Sequence, residues 1–148
     1  MNETGGYSPK DLHFGKDGQS KLISGITKLS DAVKSTLGPM GNTVLIESPH
    51  HTHGITVTKD GVTVAKSIQL LDPVENLAVQ MMKEAADRTA SEAGDGTTTA
   101  IVITEAIVKE GMKLITPKDN KTEVLRDLVS LTEGVIQRLK ETAEPVTD

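Results

Sequence analysis

The sequence predicts a mainly α-helical fold, a bundle of four long helices with a small β-hairpin. Three observations lead to it. Apolar residues recur at spacings of three and four across four long windows, which is the helical period. Two short β-branched runs, Thr43–Ile46 and Ile55–Thr58, lie close together early in the chain. Finally, the 148 residues include one Phe (Phe14), one Tyr (Tyr7), no Trp and no Cys, so the core has to be aliphatic. The length suits one domain, which at this size buries roughly 68% of its unfolded surface when compact.

Residues 1–17 are polar and Gly-rich and are expected to form a flexible tail. From Gly18 to Leu37 the positions Leu22, Ile26, Leu29, Val33 and Leu37 make one helical stripe, stopped by Gly38-Pro39. The two β-branched runs, joined by Ser48 to Gly54, are expected to pair as a hairpin too small to stand alone. Val62–Ala65 reads two ways. Its alternation suits a strand, whereas Asp60 as a cap and Ala65-Lys66 beyond suit a short helix. Asp72-Pro73 opens the next helix and Gly94 ends it. Its stripe includes Val74, Leu77, Ala78, Met81, Met82 and Ala85, with both methionines read as core filler. A helix over about Thr97 to Ile115 has the widest apolar face and is expected to be the most buried. The last, about Lys121 to Thr142, should turn Val124, Leu125, Leu128, Leu131, Val135, Ile136 and Leu139 inward.

Composition excludes several functions. Without Cys there are no disulfides, Cys-based zinc sites or thiol catalysis. A net charge of -5 makes nucleic acid an improbable partner. The chain has no apolar run of membrane-span length and no signal-peptide pattern at Met1–Gly6, so the expected setting is cytoplasmic, away from membranes. No P-loop, EF-hand or nucleophile-elbow pattern occurs. His50, His51 and His53 fall in the hairpin loop and read as solvated rather than metal-binding.

The most unusual stretch is Gly94-Asp95-Gly96-Thr97-Thr98-Thr99. Glycines let backbone approach a ligand closely, and free N–H groups at a helix start favour an anion. Three hydroxyls add donors, and Asp95 is suited to a Mg²⁺ that neutralises phosphate oxygens. The same residues also suit an ordinary turn in which Asp and Thr act as caps. Two further corners, Thr36–Gly41 and Thr58–Gly61, read alone as a helix stop and a solvated turn.

Taken together and in order, Thr36-Leu37-Gly38-Pro39, Thr58–Ala65 and Ala93–Ala100 closely resemble the nucleotide site of group I chaperonins, the GroEL-like subunits of the ATP-driven folding ring. Asp72–Asn76 resembles the family segment between the second and third corners, and the likeness runs from about Asp11 to Thr142. The resemblance implies the N-terminal half of an equatorial ATP-binding domain over residues 18–143, with 144–148 starting a hinge toward an intermediate domain. It implies that Thr36, Leu37, Gly38 and Pro39 line the phosphates, and that the Thr36 and Lys59 backbone lies near K⁺. It further implies that Asp95 ligates Mg²⁺, that Gly96, Thr97, Thr98 and Thr99 hold phosphate oxygens of ATP, and that Asp60 assists hydrolysis. It makes Gly61–Ser67 a short helix.

Implied partners are identical ring subunits, with a co-chaperonin lid and unfolded polypeptides engaged by domains outside this chain. Two departures stand out. Met40 occupies a position where the family usually has Lys, and Val74 one where it usually has Phe. Family subunits are several times longer, and their main catalytic Asp lies outside this span. The chain is therefore read either as a segment of such a subunit or as a shortened, non-enzymatic module for oligomerisation and interaction.

Overall fold

The computed structural model describes residues 10–47 and 54–145. Five helices and one hairpin follow in the order α1 (Gly15–Lys34), β1 (Val44–Glu47), β2 (Ile55–Thr58), α2 (Gly61–Ser67), α3 (Pro73–Ala93), α4 (Thr97–Leu114) and α5 (Lys121–Thr142). Four of the helices are long, and the fold class is the expected one. The segment with two readings is helical: Asp60 caps α2 by accepting from the Val62 and Thr63 N–H groups. Asp72 caps α3 in the same way, with Pro73 in the first turn, and Gly94 closes it in the left-handed region at φ 76°. The strands pair antiparallel with Val44 opposite Thr58 and Glu47 opposite Ile55.

The chain divides into two compact units, Met1–Lys109 and Glu110–Asp148, with the boundary inside α4. The core belongs to the first. Leu29 and Val33 of α1, Val64 and Ala65 of α2, Val79, Met82 and Ala86 of α3, and Ile101 of α4 form one buried cluster. Val44 and Ile46 pack against it from the hairpin. α1 and α3 approach so closely that a Cβ on Gly25 would lie 2.3 Å from the Glu75 carbonyl oxygen. Ion pairs lock that crossing, with Lys21 2.8 Å from Asp72 and Lys28 2.5 Å from Glu75.

Several expectations need correction. α1 begins at Gly15, inside the stretch expected to be tail, and ends at Lys34 rather than Leu37. Its end comes early because Thr36 and Leu37 donate to carbonyls three residues back, and the Ser35 and Thr36 hydroxyls take the Ala32 and Val33 carbonyls. β1 runs one residue later than expected. α4 is not the most buried helix: only Thr97, Ile101 and Glu105 are buried, and Ile103 and Ile107 are exposed. α5 buries nothing, because its own unit contains only the end of α4 and offers no apolar face of matching length. Met82 is core, as expected, but Met81 is exposed. The tail's first nine residues, the three loop histidines and residues 146–148 of the expected hinge lie outside the described residues. Among the described residues, no helix is long and apolar enough to cross a membrane.

Candidate nucleotide site

Three corners meet at Gly61. A Cβ added there would lie 2.3 Å from Thr98 Oγ1, 3.2 Å from Thr36 Oγ1 and 3.3 Å from a Val33 methyl. The end of α1, the start of α2 and the start of α4 therefore converge within one side chain's width, although they are far apart in sequence.

Each corner has a local cause. Past α1, Asn42 N–H donates to the Ser35 carbonyl at 2.6 Å and Gly41 N–H to Gly38 at 3.0 Å, folding 36–41 into a tight return. Gly38 takes φ 79°, and Gly41 crosses over the Thr36 carbonyl with no room for a Cβ. Thr36 is half-buried, whereas Leu37, Gly38 and Pro39 face solvent.

At the second corner, Asp60 accepts from Thr63 Oγ1 at 2.6 Å, Thr63 N–H at 2.9 Å and Val62 N–H at 3.3 Å. The Thr63 hydroxyl and N–H hold its carboxyl below the usual range, so it is a fixed negative charge and a poor proton acceptor. Lys59 beside it is exposed.

The third corner departs from the other capped helices. Asp60, Asp72 and Asn120 accept from N–H groups two or three residues ahead. Asp95 instead takes the adjacent Gly96 N–H at 2.6 Å. The first bond of α4 runs from Ala100 N–H to the Gly96 carbonyl at 2.9 Å, so the N–H groups of Thr97, Thr98 and Thr99 lie ahead of the ladder. The simple capping turn is thus not what Asp95 makes. Gly96 has φ 89°, Thr97 is buried, Thr98 is half-buried against Gly61, and Asp95 and Thr99 are exposed. A row of N–H donors at a positive helix end with an outward carboxylate suits an anion carrying a metal. Among the described residues, no group of three or more metal-ligating side chains exists.

Sequence reasoning missed Glu105. It is only 2% exposed, and it sits four residues after Ile101 on the buried stripe of α4 with Lys109 four further on. A charge at an apolar stripe position was the available signal.

Residues 29–148 match the model of the TCP-1/cpn60 chaperonin family. The chain belongs to that family. Two crystal structures of the chaperonin gp146 from the bacteriophage EL 2 (Pseudomonas aeruginosa), obtained in the presence of ATP-BeFx, resemble this chaperonin chain. One shares 37% identity with a TM-score of 0.76. The other shares 38% with a TM-score of 0.73. Each match covers 89% of this chain and 22% or 23% of gp146, so the chain spans under a quarter of those chaperonins.

Proposed function

We propose that this chain is the phosphate- and Mg²⁺-binding part of a chaperonin subunit whose role is ATP-dependent protein folding. The observation that carries the reading is the convergence of Thr36, Gly61 and Thr98, which brings all three family corners to one place. That gp146 was crystallised in the presence of ATP-BeFx adds support.

In this reading, the N–H and hydroxyl groups of Thr97, Thr98 and Thr99, with Gly96, bind phosphate oxygens of ATP. Gly38 lets the Thr36–Pro39 backbone approach from the other side. Asp95 presents its carboxylate to Mg²⁺, which supplies charge neutralisation on the phosphates when bound. The Thr36 and Lys59 carbonyls are the K⁺ contacts. Asp60, anchored by Thr63, assists hydrolysis near the γ-phosphate as a fixed hydrogen-bond acceptor that can orient the attacking water. Ring neighbours, a co-chaperonin lid, unfolded clients and a cytoplasmic setting complete the proposal.

Calorimetric titration of the full chain with Mg-ATP tests it. Weak binding that is lost in Asp95→Ala is expected; equal affinity of the two proteins removes Asp95 as the metal ligand. The exposed stripe of α5 favours a second reading, the shortened interaction module. Self-association with no heat from Mg-ATP would select it.

A further inference from the structure

The Glu105 carboxylate of α4 is buried, yet it is charged. Oε2 accepts from Ser30 Oγ at 2.8 Å and from the Lys34 ammonium, both on α1. Lys109 Nζ lies 2.6 Å from Oε1, so an ammonium also pairs with the carboxylate's other oxygen. Burial would raise this carboxyl, but Lys109, Lys34 and Ser30 outweigh it and hold it at about 2. Lys34 also lies 3.8 Å from Asp31, so the cluster is two carboxylates against two ammoniums.

Its place in the fold gives the cluster a consequence. Lys34 is the last residue of α1, two before Thr36, and Glu105 stands eight residues past Thr97 on the helix that begins at the third corner. The ion pair therefore ties together the two helices whose ends meet at Gly61. Ile101 is the sole fully buried apolar side chain on α4, with Val102 and Val108 half-buried, so apolar interlocking alone fixes the helix's register weakly. Directional bonds to a hydroxyl and an ammonium fix it more firmly, and fixing register is the best-attested use of a buried charge.

We infer that Glu105 is a positioning residue for the nucleotide site, holding α4 in the register on α1 that sets Thr98 against Gly61 and Thr36. The inference rests on the proposed reading of that site, and it concerns a residue that touches no nucleotide.

The test compares the full chain with Glu105→Gln and Glu105→Leu in three measurements: thermal unfolding, amide shifts of Gly61 and Thr98 without nucleotide, and calorimetric Mg-ATP affinity. Glu105→Gln keeps the shape and a bond to Ser30, and Glu105→Leu removes the buried charge without leaving a hole. The expected result for Glu105→Leu is a lower melting midpoint, since Ser30 and the two ammoniums lose their partner, and, at a temperature where the chain is still folded, shifted Gly61 and Thr98 amides with roughly tenfold weaker Mg-ATP binding, in line with losses on removing groups that orient ligating residues. Glu105→Gln should fall between. Glu105→Leu with wild-type amide shifts and affinity overturns the inference while leaving the site intact, as does weakening that merely tracks lost stability. A wild-type chain that shows no Mg-ATP binding overturns the site and this inference together.

Discussion

Gly61 shows how one missing side chain makes a site. Its Cβ position is filled from two sides by threonine hydroxyls and from a third by Val33. Gly61→Ala must push Thr98 or Thr36 away, and overpacking of this kind costs about 1–3 kcal/mol. Denaturant unfolding checks the stability loss, and Mg-ATP affinity should fall with it because both displaced residues belong to the site. Gly38 is the contrast. It has open space around it but φ 79°, so Gly38→Ala pays only the left-handed backbone penalty of about 1 kcal/mol. A Gly61→Ala chain as stable and as competent as wild type would mean that the corners do not meet there. The motif residues were legible one by one, through glycines and hydroxyls in unusual succession. Their meeting in one site was legible only through the family resemblance, since nothing local tells Thr36 that Thr98 will arrive opposite it.

Among the elements, α1 and α3 carry the stability. Leu29 is fully buried between helices, and Leu29→Ala should cost about 3 kcal/mol. Leu125 lies on an equally apolar stripe in α5 but is exposed, so Leu125→Ala should stay within about 0.5 kcal/mol. Chemical denaturation of the two variants distinguishes them, and equal losses would contradict the exposure of α5. The α1–α3 crossing also sets a pH dependence. The Lys21 ammonium, then the Glu75 N–H, hold the Asp72 carboxyl down to about 2, and Glu105 is held as low. A carboxyl lowered on folding stabilises above its unfolded pKa, and that stability disappears as pH falls. Melting temperature should therefore drop between about pH 4 and pH 2, and Asp72→Asn should flatten part of the fall. Helix ends were readable where a side chain marks them, as at Asp72-Pro73 and Gly94. The start of α1 was not, because Phe14 and Gly15 form no side-chain cap. Nor was the exposure of α5: an apolar stripe says which face seeks a partner, but not whether the chain contains one.

At the scale of the whole molecule, apolar surface is the dominant unsatisfied quantity. Leu71, Leu77, Leu114, Leu131 and Leu139 are all more than half exposed, alongside most of the α5 stripe. Contiguous apolar patches beyond a few hundred Å² are uncommon on monomers and mark interaction surfaces. The isolated chain should therefore bind hydrophobic dye and self-associate, which ultracentrifugation can measure; a strictly monomeric, dye-silent sample would contradict this. The central claim is that three separated corners act as one phosphate site. Amide NMR of the full chain titrated with Mg-ATP tests it most directly. Resonances of Thr36–Gly38, Gly61 and Thr97–Thr99 should move together along one binding curve. Shifts confined to one corner, or scattered over α5 and the hairpin, would contradict it.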